Sequence, residues 1–441
     1  METHNPNDPS LKSWIESANQ IDCHFPVQNL PFGVFSDNKN TSKRVGIAIG
    51  KQILDLSVIE KTKYLSVVEG TFNQSSLNAF MEMGASVWKE TRNAISRILV
   101  QESRFFRENP VLLEKALVDS KDAKMHLPLE ISEYTDFYSS REHATNVGAM
   151  FRDPSNALMP NWLHIPIAYN GRASTIVITD TEIRRPLGQI KLADQEKPIF
   201  GSCKKLDFEL EMGAIVGTSS TIGQPINMEQ AKGMIFGYVI LNDWSARDIQ
   251  VWENKPLGPF QSKAFATSIS PWIVTQEALE PFLVDGPTQD PVPLPYLKQR
   301  GKANYDLHLK VLLKPENTNS QTIISETNFR YMYWSTPQQL THHAVCGCRM
   351  RNGDLLGSGT ISGPDRKSCG SLLELSWNGE NPIKLENGEE RSFLEDGDTL
   401  SMTGFCQGEN YRVGFGEVSG KIKPPDGSVL FLNYRLCSTR L

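Results

Sequence analysis

The run LDFELEMGAIVG, Leu206 to Gly217, alternates acidic and apolar side chains. Strand side chains point to opposite faces in turn, so Asp207, Glu209 and Glu211 are expected on one face, with Phe208, Leu210 and Met212 on the other. Two carboxylates about 4 Å apart repel by roughly 4 kcal/mol at an effective dielectric of 20. A row of them inside a folded protein calls for a cation, or for a proton on one member. Oxygen-only donors of this kind suit Ca²⁺ or Mg²⁺ rather than zinc. The plainer alternative is a solvated strand face.

The rest of the composition removes whole classes of function. The formal net charge is −6, from 45 basic and 51 acidic residues, and no basic run interleaves with aromatics, so nucleic acid is not an expected partner. No apolar stretch approaches the roughly 18 residues of a membrane span. The opening METHNPNDPSLK has neither the basic start nor the apolar core of a secretory signal. Seven scattered cysteines without a C-x-x-C pair fit reduced thiols in the cytoplasm, with Cys346 and Cys348 as packing residues. The closing Thr439-Arg440-Leu441 is a weak variant of a peroxisomal address.

At 441 residues the chain is long enough for two or three domains. Residues 1–21 are polar and are expected to be a disordered extension. Val45, Ile47 and Ile49 alternate before Gly50-Lys51, and Ile53 to Leu56 follow, which predicts a hairpin. Val87, Thr91, Ala94, Ile95, Ile98 and Leu99 recur at helical spacing, so Ala85 to Gln101 is expected to be an amphipathic helix. Pro110 suits the first position of a second helix, reaching Val118. The expected division is a small domain over 22–124, a strand-rich domain over 125–425 and a tail from 426. The second domain contains strand-like runs at Met234–Leu241, Ser371–Trp377 and Thr399–Gly404, so the whole is mainly β with some helix (α+β).

Four stretches concentrate reactive side chains. Asp136, Tyr138, His143 and Arg152 fall in or just after YTDFYSSREHATNVGAMF; Glu209 and Glu211 lie in the acidic run. Asp243, expected at the carboxyl end of an apolar strand, opens a stretch that also supplies Arg247, Gln250, Lys263 and Thr267. GSGTISGP leads on to Glu374, read as facing away from Leu373, Leu375 and Trp377 on a strand. Each has a plainer alternative: His143 satisfied by a backbone carbonyl, Glu374 on a wet strand face, Asp243 as a helix N-cap, and the glycine-rich loop as a turn.

Taken together, the strings DFYSSREHATNVG, NWLHIPIAYNGRASTI, LDFELEMG, NDWSARDIQ, PLGPF, GSGTISG and YRVGFGE resemble the fumarylacetoacetase family, metal-dependent hydrolases that end tyrosine and phenylalanine breakdown. HFPVQNLPFGVF and VGIAIGKQILDLS resemble that family's N-terminal domain, and the likeness runs from about Asp22 to about Pro424. It implies a small SH3-like barrel domain, a larger mixed β-roll catalytic domain and a homodimer. It implies Ca²⁺ on Asp136, Glu209, Glu211 and Asp243, with Mg²⁺ near Asp243, Lys263 and Thr267. It implies substrate contacts from Tyr138, Arg152, Tyr169, Gln250 and Thr360. His143 would be the general base oriented by Glu374, with Arg247, Gln250 and Lys263 around the developing negative charge. The implied reaction cleaves the carbon–carbon bond of a small diketo acid, fumarylacetoacetate, to fumarate and acetoacetate. The chain departs from the family at Asn254, where WENKPLGPF replaces a motif that usually carries a substrate-touching Tyr. Rival readings are an acylpyruvate hydrolase, or an oxo-acid decarboxylase or isomerase, of the same superfamily, and a silent Ca²⁺-binding β-protein. A structural ion site needs no base, so His143 with Glu374 argues against the silent protein.

Overall fold

A computed structural model of the chain describes residues 4–427. Strands dominate and helices are few and mostly short, as the sequence pattern predicts. Near the N-terminus, β1 (Phe32–Asp37), β2 (Arg44–Ile49), β3 (Gln52–Asp55), β4 (Leu117–Asp119) and β5 (Ala123–His126) form one antiparallel sheet in the order β4-β3-β2-β1-β5. The predicted hairpin is β2–β3, with Ile47 opposite Leu54 and Ala48 opposite Ile53. Its turn places Gly50 at a φ of +58°, a left-handed conformation that glycine adopts without steric cost. Helix α1 (Ala85–Leu99) buries Trp88, Thr91, Ile95, Ile98 and Leu99 on one face. The second predicted helix, α2, spans Pro110–Ala116, with proline at its start.

The N-terminal residues differ from expectation. From residue 4 onward the segment is packed onto the domain rather than disordered. Trp14 donates its indole N–H to the Ile98 carbonyl at 3.0 Å and the Ser13 hydroxyl donates to the Leu99 carbonyl at 2.7 Å. Ile15 and Ala18 are buried in the same core. A polar average hides these few anchors, which satisfy carbonyls at the end of α1 that have no partner within the helix. The described part of the expected tail is short, and its remainder, with Cys437 and Thr439-Arg440-Leu441, lies outside the described residues.

The larger region is built on a sheet of β6 (Tyr134–Phe137), β7 (Ala168–Asn170), β8 (Ile176–Ile178), β9 (Leu210–Val216), β10 (Ile235–Asp243), β11 (Thr267–Ile269) and β12 (Leu355–Gly357). Their order is β7-β6-β12-β9-β10-β11-β8, with the short strand Val274–Thr275 added beside β10. A second sheet joins Thr322–Asn328, His308–Lys314, Thr399–Gln407, Arg412–Lys423 and Ile183–Arg184. Leu210, Met212 and Ala214 of β9 face the large core that includes Val413 and Phe415 of this second sheet. The opposite face of the first sheet packs against the N-terminal domain, in a core that contains Tyr134, Ile215, Leu241, Ile269 and Leu355 together with Phe32, Ile47 and Trp88.

That second face places the polar residues. Side chains two or four positions apart in a strand share a face. Asp136 therefore stands beyond Tyr134, Gly357 beyond Leu355, Asp243 beyond Leu241, and Glu211 and Thr267 before Ile215 and Ile269. Strand by strand, the face that is apolar against the N-terminal domain turns polar at one end.

Candidate active site

At that rim, Asp136, Glu209, Glu211 and Asp243 each present an oxygen, and all four oxygens lie within 4.8 Å of one another in buried surroundings. The acidic run is not a wet strand face. Asp207 ends one short strand, the chain breaks regular pairing at Phe208 and Glu209, and β9 begins at Leu210. Glu209 and Glu211 reach the cluster, while Asp207 is directed elsewhere. Gly357 makes the space: a Cβ there would stand 2.8 Å from Glu211 Oε2 and 3.0 Å from the Tyr134 hydroxyl. The Gly359 amide, on a residue with φ +81°, donates to Glu211 Oε2 at 3.0 Å.

The cluster is electrostatically unfinished. Burial, then the charge of Asp243, raises the Asp136 carboxyl well above its ordinary range. Burial, then the charges of Asp136 and Asp243, does the same to Glu211. Asp243 is also raised, by burial, although Lys263 opposes the shift. Asp136 Oδ1, Glu211 Oε1 and the Tyr134 hydroxyl are buried without a hydrogen-bond partner among the described residues, while the Tyr169 hydroxyl acts on the Asp136 carboxyl. Buried polar atoms are almost always satisfied. Four converging carboxylates, of which Asp136 and Glu211 each keep an unpaired buried oxygen, are a donor set that fits a hard divalent cation.

A cationic arm borders the cluster. The Lys263 ammonium donates to Asp243 Oδ2 at 2.8 Å and also to Glu209 Oε2. Although burial disfavours its charge, Asp243 and Glu209 outweigh that and raise its pKa. The Thr267 hydroxyl donates to Asp243 Oδ1 at 2.9 Å. Arg247 opens helix α3 (Arg247–Glu253) and approaches Glu209 Oε1 at 2.7 Å; its Nη1 donates to Gln250 Oε1 at 3.2 Å. Burial would raise Glu209, but Lys263 and then Arg247 overcome it and hold it at about 2. Asp243 sits at the end of β10, as expected from the sequence, and is not a helix cap: Ala246 occupies the N-cap of α3.

On the other side stands an acid–histidine pair. His143 lies in the first turn of α4 (Arg141–Phe151), whose N-cap Ser140 accepts its amide hydrogen at 3.2 Å. Its ring partner is a carboxylate and not a backbone carbonyl: Nδ1 bonds Glu374 Oε2 at 2.7 Å. The expected strand Ser371–Trp377 is a short helix, α5 (Leu372–Leu375), capped by Ser371. Glu374 is therefore held on the first turn of a helix. Its Oε2 also accepts from Ser362 at 2.9 Å and Ser371 at 2.8 Å, and its Oε1 accepts from Asn146 at 2.9 Å. Burial would raise this carboxyl, yet His143 and these hydrogen bonds hold it below its ordinary value. Glu209 lies near enough to feel a proton placed on the His143 ring, which joins the pair to the cluster.

The remaining expected residues are arranged around these two parts. The half-buried Tyr138 sets its ring edge-on to His143, with centroids 5.4 Å apart. Tyr169 pairs across the sheet with Asp136. Thr360 is buried in the loop after β12. Arg152 is exposed, donates to the Ala157 carbonyl at 2.6 Å, and its charge acts on the Tyr138 hydroxyl. Asn254 is exposed at the C-cap of α3. Tyr134, Asn146, Ser362 and Ser371 were not singled out from sequence. Ser371 and Glu374 have the three-residue spacing of a helix N-cap and its N3 acid, a signal that identifies this turn.

Two family descriptions match the chain, Fumarylacetoacetase N-terminal over residues 28–128 and Fumarylacetoacetate (FAA) hydrolase C-terminal over residues 133–423. Fumarylacetoacetase of Homo sapiens is 52% identical over 406 residues, covering 91% of this chain and 97% of its own. Fumarylacetoacetase of Arabidopsis thaliana is 50% identical over 418 residues, covering 94% and 99%. Among solved structures, a fumarylacetoacetate hydrolase from the psychrophile Exiguobacterium antarcticum covers 90% of this chain and 99% of its own with a TM-score of 0.51. At 17% identity that likeness speaks for the fold alone.

Proposed function

This chain belongs to the fumarylacetoacetase family, and from that premise we propose how it hydrolyses the carbon–carbon bond of fumarylacetoacetate to fumarate and acetoacetate. The observation that carries the reading is the buried His143–Glu374 pair beside four converging carboxylates. Asp136, Glu209, Glu211 and Asp243 would hold Ca²⁺. A divalent cation there would supply Lewis acidity to the diketone. His143, its Nδ1–H fixed on Glu374, leaves Nε2 free to take a proton from the attacking water. Glu374 then stabilises the imidazolium. The water oxygen bonds to the carbonyl carbon, and the departing carbon takes the electrons of the broken carbon–carbon bond as an enolate-like fragment. The proton held by His143 is returned to that carbon to give acetoacetate. Arg247, Gln250 and Lys263 face that charge as preorganised donors, and Arg247 Nη2 is buried without another partner among the described residues. Both ends of the substrate are carboxylates, which suits Arg152, Tyr138, Tyr169 and Thr360 as binding residues.

The proposed second ion, Mg²⁺ near Asp243, Lys263 and Thr267, rests on the family resemblance. The Lys263 ammonium has no lone pair to offer a cation, whereas the Thr267 hydroxyl, which gives its hydrogen to Asp243, keeps oxygen lone pairs that would suit one. A homodimer is supported by Val251, Trp252, Leu257 and Phe260, all exposed within one short segment beside the site. Light scattering should give about twice the chain mass of 49.4 kDa; a mass near one chain would remove this part of the reading. We place the protein in the cytoplasm on its six free described cysteines. No described helix is long and apolar enough to cross a membrane.

Loss of diketone absorbance on incubation with fumarylacetoacetate tests the reaction. Faster turnover of an acylpyruvate, or decarboxylation of an oxo acid in its place, would transfer the chain to another chemistry of the superfamily.

A further inference from the structure

Asp207 is the member of the acidic run that the cation cluster does not use. It is wholly buried. Its Oδ2 accepts from Arg247 Nε at 2.8 Å and from the Leu373 amide at 3.0 Å. Its Oδ1 accepts from the Leu372 amide at 2.7 Å and the Phe208 amide at 2.8 Å. Leu372 and Leu373 are the first two residues of α5, whose next residue is Glu374. The first amides of a helix have no partner within it, and a helix this short cannot fix its own orientation. One carboxylate therefore supplies both the acceptor that orients the Arg247 guanidinium and the acceptors that seat the turn carrying Glu374. Pairing of Leu206 and Asp207 with Ala246 and Ser245 fixes the same residue against the start of α3.

We propose that Asp207 is a positioning residue that sets Arg247 and Glu374 in register with each other, so that the charge-receiving arm and the base-orienting arm are held as one unit. It touches neither substrate nor ion and acts through those two side chains. The functional consequence rests on the hydrolytic reading above, whereas the mechanical coupling can be measured without turnover.

The test uses full-length, ion-loaded protein. Asp207→Asn keeps the shape and removes the charge that pairs with Arg247. It should lower kcat by about 10²-fold, the scale of one misplaced charge-stabilising donor, with KM nearly unchanged. Combined with Arg247→Lys or with Glu374→Gln, it should add little to the worse single change, because groups acting as a unit are non-additive. In substrate-free protein, the downfield proton resonance of the His143–Glu374 hydrogen bond should move in Asp207→Asn. It should also move in Arg247→Lys, which leaves Asp207 intact and loses its Nε donor. The second variant keeps the test decisive if Asp207→Asn does not fold. Ile98→Val, a change in the N-terminal core, controls for general loosening and should leave the resonance in place. Multiplicative losses, or a resonance unmoved in Arg247→Lys, would overturn the coupling. Wild-type protein inactive on fumarylacetoacetate would overturn the hydrolytic reading while leaving the resonance result to stand by itself.

Discussion

Glu211 and Glu374 are the same residue type with nearly the same burial, at 0% and 2% exposure, and they come to opposite ends. Glu374 is surrounded by donors from Asn146, His143, Ser362 and Ser371, and its carboxyl is held below the ordinary range. Glu211 has one amide donor on one oxygen and none on the other, so burial and then its acidic neighbours push its carboxyl far up. Burial penalises both charges alike; what differs is whether the chain provides the compensating donors. The acid–histidine half of the site is complete as folded. The carboxylate half is built to be completed from outside.

The largest effect should come from taking that outside component away. Exhaustive chelation should abolish turnover, and Ca²⁺ or Mg²⁺ should restore it. The His143–Glu374 hydrogen bond should survive the treatment, since all its donors belong to the chain. Metal analysis alongside the assay checks this, and full turnover in demetallated protein would break the comparison at its foundation.

The completed half should fail in a different way. General base catalysis contributes about 10²–10⁴-fold, and orienting an imidazole can be worth as much. His143→Ala and Glu374→Gln are therefore each expected to cut kcat by at least about 10²-fold, with the double variant little worse than either. Bound metal should be unchanged in all three. Loss of metal in either single variant would show that the two halves are not distinct.

The sequence made the halves unequally legible. Alternation puts Glu209 and Glu211 on one side of their run, whereas Asp136 and Asp243 join them only through the family resemblance, because Asp243 ends a continuously buried run with no period of two. Asp207 broke that rule because pairing lapses at Phe208 and Glu209, something alternation cannot reveal. The sequence around Glu374 suits a strand as well as a helix, because Leu372, Leu373 and Leu375 are all buried and a fully buried short run carries no usable period. The N-terminal anchors Trp14 and Ile15 were lost in a polar average. The expected roles of His143, Glu374 and the cationic arm came from resemblance to a family. Their mutual distances depend on contacts between residues hundreds of positions apart, which no local pattern encodes.

Thermal stability should carry opposite pH signs for the two halves. Without an ion, Asp136 and Glu211 have folded pKa values above their unfolded ones. Their contribution is present at pH below the ordinary carboxylate range and is lost as pH rises through the raised values. An ion competes with those protons, so the Tm difference between loaded and stripped protein should widen from mild acid toward neutrality. At a hundredfold excess over Kd the ion adds about 2.7 kcal/mol, a few degrees for a chain of this size. Glu374 behaves conversely: its contribution is present above the ordinary value and is lost as pH falls through its lowered one. Glu374→Gln should therefore flatten the acid limb of the Tm profile and leave the ion-dependent gap intact. A gap that narrows toward neutrality would reverse the assignment of the carboxylates.

The smallest effect is expected at a residue belonging to neither half. Asn254 donates its amide to the Gln250 carbonyl at 2.9 Å and accepts from the Gly258 amide at 2.7 Å. Both bonds use backbone atoms, so a new side chain leaves the end of α3 as it is. The Asn254 side chain is exposed, and it replaces a Tyr that the family resemblance assigns to substrate contact. Asn254→Tyr restores an aromatic contact worth about 1 kcal/mol, roughly fivefold in affinity. Such a contact forms equally in ground and transition states, so KM should fall by about that factor with kcat unchanged. Steady-state kinetics on fumarylacetoacetate decides it. A large change in kcat would mean that position 254 reaches the His143 or carboxylate machinery, and the site would then have a third working part.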